Sequence, residues 1–220
     1  METSKRMQYV SMAAAALFVL FACSQGYRNI GLPPVIIVGG SGIIGFVMWH
    51  YTYLKRPVDP KIILPLFLLT VAALEVHMCE EYLTGFGPAM SRLFDISWSE
   101  KSFLMIFAFI GPVIYTLTAL GLYYRVPIAG FIACFIFIGP GVAEFTHFIF
   151  PLIKPSIMPD LDGAISQEIH GTFVSGMHNY WWKTTGSYYF SGMYTAILPM
   201  IPGIWAILRL IRNVSVAQKD

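Results

Sequence analysis

Lys61–Thr84 reads KIILPLFLLTVAALEVHMCEEYLT. From Ile62 to Leu74 the only polar side chain is Thr70; then Glu75, His77, Glu80 and Glu81 follow within seven residues. A bilayer core asks for about 20 predominantly apolar residues per helix, and this run has that length and character. It therefore predicts a transmembrane helix that carries ionisable groups near one end. A charge at a helix centre costs at least about 2.5–3.5 kcal/mol in lipid, so such groups face protein or a cavity and mark function.

Outward from this span, five further apolar stretches lie near residues 8–26, 31–53, 103–124, 126–152 and 190–212. Together they predict an all-α, polytopic transmembrane bundle of six spans forming one domain over residues 1–220. Gly39-Gly40-Ser41-Gly42 in the second stretch offers small residues for close helix contact. Lys55–Pro60 and Arg125-Val126-Pro127 are very short links. Residues 153–189 form the long outer loop. Its opening is rich in Pro155, Pro159, Asp160, Asp162 and Gly163, and Ile165–Trp182 reads either as a short interfacial helix or as an ordinary loop with an aromatic anchor.

The composition agrees. Of 220 residues, 56% are hydrophobic and 12% charged, against about 25% charged in soluble chains; mean hydropathy is +0.65. A net charge of +2 with no basic cluster excludes a nucleic-acid binder, and the apolar excess excludes a soluble enzyme or a disordered chain. Nine Lys and Arg residues fall on the side of both termini and five on the other, which places both termini in the cytoplasm. The first stretch lacks a good small-x-small cleavage site at Ala22-Cys23-Ser24-Gln25 and is read as a retained anchor. Cys23, Cys79 and Cys134 share no CxxC spacing and read as small packing residues.

Two polar clusters stand out. His77, Glu80 and Glu81 are i, i+3 and i+4 on one helix, and Glu144 and His147 are i, i+3 on another, so each set shares a face. At 1.5 Å per residue, His77 lies about 24 Å along its span and Glu144 about 27 Å along its own. Both spans run from the cytoplasm outward, so the clusters meet near the outer leaflet, where His170 or His178 of the outer loop can join. Imidazole and carboxylate are the ligand set of zinc, iron and manganese, and Glu-x-x-His is the ligand unit of di-iron carboxylate bundles. Structural readings stand beside this: Glu80 and Glu81 solvated at the interface, and Glu144 paired with His147. Glu75 faces elsewhere, and His50 reads as an interfacial histidine.

Glu75-Val76-His77-Met78-Cys79-Glu80-Glu81-Tyr82, followed by Gly85-Phe86-Gly87-Pro88, resembles the HXXEE family of small multi-spanning membrane proteins. That family is named for its His-x-x-Glu-Glu element and has a further histidine and a Tyr-x-Pro-Gly element before the last span. Here Tyr189-Phe190-Ser191-Gly192 occupies the corresponding place, with serine for proline. The further histidine falls on His147 or His178, and depth favours His147. The resemblance covers spans three to six. It implies an integral membrane protein in which the histidine and glutamates matter, and it implies neither a reaction nor a metal.

Three functions fit these residues. The first is an intramembrane enzyme acting on a lipid-soluble substrate, with iron or zinc held by His77, Glu80, Glu81, Glu144 and His147. His178 is then a secondary ligand, and Trp181, Trp182 and Tyr189 bind substrate. The second is a metal-free acid/base isomerase or cyclase of lipid or terpenoid substrates using the same residues, with Trp181, Trp182 and Tyr188 offering π-faces to a carbocation. The third is a small-molecule or ion transporter, or an accessory membrane subunit, suggested by breaks at Gly111-Pro112, Gly139-Pro140-Gly141, Pro199 and Pro202-Gly203. Membrane lipid is the expected surroundings, nucleic acid is not a partner, and oligomerisation stays open.

Overall fold

Proline and glycine punctuate the helices. In the computed structural model, which describes residues 2–94, 96, 98, 100–153, 166–169, 172–175 and 188–217, α1 (Lys5–Asn29) begins where the Ser4 hydroxyl accepts the Met7 amide at 3.3 Å. Only Ile30 and Gly31 separate it from α2 (Leu32–Thr52), whose first turn holds two prolines, residues that fit there because no intrahelical donor is lost. Helix α3 (Pro60–Thr84) is capped by Asp59, which accepts the Lys61 amide at 2.9 Å, and ends at Gly85 in the left-handed region.

Beyond it lie α4 (Phe86–Phe94), α5 (Glu100–Leu104), a π-helical turn (Met105–Ile110), α6 (Gly111–Tyr123), α7 (Pro127–Val142), a 3-10 helix (Ala143–Phe148), the short α8 (Phe150–Ile153) and α9 (Ile197–Ala217). Five helical stretches are long and apolar enough to cross a membrane: Lys5–Asn29, Leu32–Thr52, Pro60–Thr84, Lys101–Tyr123 and Pro127–Leu152. Helix α9 has 21 residues and corresponds to the sixth expected span.

The bundle is layered by contact. Helix α7 is central: α2 lies on one side of it, α9 packs along both α3 and α7, α6 closes against α7 and α3, and α1 packs on both α2 and α7. Ser41 and Gly42 of the small-residue stretch are buried. Where α9 crosses α7, a Cβ at Gly203 would stand 2.7 Å from the Gly141 Cα, so the backbones touch because neither residue has a side chain. Two apolar clusters fill the interior. One gathers Trp49, Tyr53, Phe67, Phe131, Phe137 and Leu210, with the Trp49 indole N–H donated to the Pro127 carbonyl at 2.8 Å. The other gathers Phe86, Trp98, Phe103, Phe150 and Phe190.

The helical bundle is the one the sequence predicts, and four details differ. The expected 103–124 helix has a π turn in which the Gly111 amide bonds Ile106 O, five residues back. Pro112 follows at once, and its missing donor and ring clash disfavour a regular turn at that point. The expected 126–152 helix tightens to 3-10 after Gly139-Pro140-Gly141. The last span begins at Ile197 instead of residue 190, because Gly192 at φ +85° cannot belong to a right-handed helix. Within Ile165–Trp182, read as either an interfacial helix or an ordinary loop, the described residues pair as an antiparallel ribbon of β1 (Ser166–Ile169) and β2 (Thr172–Ser175).

The α7–α9 contact yields a prediction. Gly203→Val forces the two backbones apart and should destabilise the chain by about 1–3 kcal/mol, measured as a lower melting temperature in detergent. Wild-type melting would show that the crossing tolerates a side chain.

Candidate metal centre

Four side chains from two elements meet at one point. Helix α3 supplies His77 and Glu81, one turn apart, and the 3-10 helix supplies Glu144 and His147. One ligand-type atom from each lies within 4.8 Å of the others. The 3-10 geometry matters here: at three residues per turn, i and i+3 are eclipsed, so Glu144 and His147 project in the same direction more closely than an α-helix would set them.

Around the group, histidine and glutamate alternate. His77 Nε2 is 3.2 Å from Glu144 Oε2, His147 Nε2 is 2.9 Å from the same oxygen, and His147 Nε2 is 3.2 Å from Glu81 Oε1. His77 Nε2 closes the ring at 3.6 Å from Glu81 Oε1. The imidazole centroids are 4.8 Å apart and nearly perpendicular. His77, Glu81 and His147 are buried. Glu144 is the most open member, its side chain 16% exposed.

The outer nitrogen of each ring is spoken for. His147 Nδ1 is 2.7 Å from the Ser191 carbonyl oxygen; a carbonyl only accepts, so that nitrogen carries the hydrogen. His77 Nδ1 is 3.1 Å from Thr195 Oγ1. Thr195 donates its hydroxyl hydrogen to Glu80 Oε2 at 2.5 Å, so toward His77 it can only accept, and Nδ1 again carries the hydrogen. Where a ring is neutral, its Nε2 lone pair therefore faces the carboxylates. Gly192 presses on the centre from the same side. A Cβ there would stand 2.7 Å from Glu81 Cγ and 2.9 Å from Cε1 of both His77 and His147. Phe86 stacks on the His147 ring at 5.2 Å, and Phe150 and Phe190 flank it.

Of the residues singled out in the sequence, His77, Glu81, Glu144 and His147 come together. Glu80 does not: its oxygens face Tyr189, Tyr194 and Thr195 instead of the centre. Tyr189, expected to bind substrate, is buried and donates its hydroxyl to Glu80 Oε1 at 2.9 Å. Tyr188 donates to the Phe148 carbonyl. His170, His178, Trp181 and Trp182 lie outside the described residues. Glu75 is not one of the four that meet, and its buried Oε1 has no hydrogen-bond partner among the described residues. Tyr115 on α6 lies within electrostatic range of both Glu75 and Glu144. His50 sits apart, stacked on Phe46, and the three cysteines are free.

Sequence reasoning missed Thr195. Neither its type nor its spacing in Gly192-Met193-Tyr194-Thr195 marks it. Comparison of the chain with protein-family models, with curated proteins and with solved structures finds no match in any of the three.

Gly192→Ala should damage the centre twice over, by strain at φ +85° and by collision with three of its side chains. We expect a loss exceeding about 1 kcal/mol, seen as a lower melting temperature; an unchanged melt would show that the 191–196 turn yields freely.

Proposed function

We propose that the chain is an integral membrane protein of six spans with cytoplasmic termini, and that it uses the His77–Glu81–Glu144–His147 centre as an enzyme on a lipid-soluble substrate. In this reading the centre holds one divalent metal ion, iron or zinc. The observation that carries the proposal is the donor–acceptor balance. Two Nε2 lone pairs and two carboxylates converge in a dry interior, and both ring hydrogens are committed outward to Thr195 and Ser191. Acceptors so placed repel one another unless a cation enters.

A metal ion suits the spacing. Bonds of about 2.0–2.2 Å place neighbouring ligand atoms roughly 2.8–3.6 Å apart in octahedral or tetrahedral shells, and the four ring distances run from 2.9 to 3.6 Å. Two histidines and two glutamates suit one ion better than two. Bound there, zinc would polarise a carbonyl or activate water, and iron would support oxidation or desaturation. The protein's own part is to exclude water with Phe86, Phe150 and Phe190 and to orient both imidazoles. Glu144, the most open member, is the one through which a substrate would reach the centre. The likeness of His77-x-x-Glu80-Glu81 to the HXXEE element supports His77 and Glu81 of the centre.

A second reading has an observation of its own. The alternation around the ring allows both imidazoles to be protonated, each with its Nε2–H facing two carboxylates at 2.9–3.6 Å, with no net charge. Such a centre moves protons, as a metal-free isomerase or cyclase requires.

Metal content decides between them. The purified full-length chain, prepared without chelator, should carry close to one iron or zinc per protein by elemental analysis. His77→Ala and His147→Ala should each lose it, because each removes one of four ligands. A metal-free wild type would eliminate the first reading in favour of proton chemistry.

A further inference from the structure

Glu80 is the member of the His77-x-x-Glu80-Glu81 element that stays out of the centre, and its surroundings show what it does instead. Oε1 accepts the Tyr189 hydroxyl at 2.9 Å and the Tyr194 amide at 3.2 Å. Oε2 accepts the Thr195 amide at 2.7 Å and the Thr195 hydroxyl at 2.5 Å. Both oxygens must accept, which a carboxylate does and a carboxamide does not. In a glutamine, one position becomes an NH2 group set against a backbone N–H.

The hydroxyl contact has a directional consequence. Thr195 has a single hydroxyl hydrogen and gives it to Glu80, so the Thr195 oxygen presents only a lone pair to His77 Nδ1, 3.1 Å away. We infer that Glu80 is a positioning residue: through the Thr195 hydroxyl it fixes the Nδ1–H tautomer of His77 and turns that ring's Nε2 lone pair toward the centre. The chain of contacts is carboxylate, hydroxyl, imidazole, centre. It lengthens by one hydroxyl the outer-shell pattern in which a carboxylate orients a ligating histidine.

His147 is set differently. Its Nδ1 donates to a main-chain carbonyl, Ser191 O, which no change of partner can convert into a donor. A hydroxyl is reversible. Freed from Glu80, Thr195 can donate to His77 Nδ1, and the ring hydrogen then moves to Nε2 and points among the carboxylates. Glu80 thus keeps the one adaptable link in the correct sense. The same carboxylate also anchors the turn that carries the Ser191 carbonyl and Gly192.

The functional consequence rests on the metal reading above; the tautomer does not, and this allows the two to be tested apart. Co2+ is titrated into the metal-free full-length chain in detergent and followed by its visible absorption. The histidine tautomers of the metal-free chain are read from 15N shifts. Thr195→Val should weaken Co2+ binding about 10–100-fold, the usual loss for an outer-shell partner, and should remove the Nδ1–H signature of His77 while leaving that of His147. Thr195→Ser should restore both, which a purely structural role for the threonine side chain would not predict. Glu80→Gln should follow Thr195→Val; if it fails to fold, the Val/Ser pair decides. Wild-type Co2+ affinity with an unchanged His77 tautomer in Thr195→Val would overturn the inference. If the wild type binds no Co2+, the metal reading falls, and the His77 signature decides at a pH where its 15N shifts show a neutral ring: its persistence in Thr195→Val overturns the inference, and its loss supports it.

Discussion

Two imidazoles and two carboxylates share one dry point in this bundle, and the structure around them is organised by that constraint. Buried polar groups are costly unless each finds a partner. A partly satisfied network is worse than an apolar core, because the low dielectric that strengthens good contacts also magnifies the missing ones. The residues that meet this demand come from elements distant in sequence: α3, the 3-10 helix after α7, and the turn before α9. None of these alone satisfies its own polar side chains. Docking them together does, so the centre ties these three elements and gives the α3–α9 packing a directional component that apolar contact lacks.

The irregular backbone gathers around this centre. Beside the inner apolar cluster around Trp49, Phe67 and Phe137, α2, α3 and α7 are regular α-helix. The 3-10 helix and the turn at Gly192 both lie against the four side chains, and the π turn packs through Phe107 on the aromatic cluster beside them. Non-helical backbone at membrane depth is tolerated only where protein covers it. Phe86, Phe150 and Phe190 supply that cover, and they also keep water from competing for the imidazoles. The irregularity serves geometry: tightening to three residues per turn aligns Glu144 with His147, and the positive φ at Gly192 lets a main chain approach two rings and a carboxylate at once.

Much of this was legible in the sequence. The apolar runs place five of the six helices to within three residues and the last one seven residues early, and counting rise per residue brings His77 and Glu144 to one level, where the structure sets them 3.2 Å apart. What the sequence left open has a common cause: it was decided by partners on other elements. Glu80 and Glu81 are both neighbours of His77 on a helix, at i+3 and i+4, and no local rule separates them. The amides and hydroxyls of residues 189–195 claim Glu80, which leaves Glu81 for the centre. Glu-x-x-His is compatible with α or 3-10 geometry, and Gly139-Pro140-Gly141 selects the latter by weakening the ladder ahead of it. Thr195 carries no signal by type or spacing, because its role exists only when α9 lies beside α3. Tyr189 was read as a substrate-binding residue, whereas it is buried and its hydroxyl is spent on Glu80.

The two carboxylates of the centre are chemically alike and differently housed. Glu81 is on a regular helix, buried, with Oε1 facing both imidazoles and Oε2 without a hydrogen-bond partner among the described residues. Glu144 is on the 3-10 helix, partly open, with a single oxygen 3.2 and 2.9 Å from the two Nε2 atoms. A buried carboxylate oxygen with no partner is costly to keep, so Glu81 has the stronger need of a cation or proton at the centre, and its rigid helix lets it hold one in place. Glu144 can exchange contacts with whatever enters beside it without unburying the rest. Environment, more than residue type, separates a holding carboxylate from an approachable one, as in other sites where paired acids divide their roles. The division follows from where the chain tightens: the turn that aligns Glu144 with His147 also sets it at the open side of the centre.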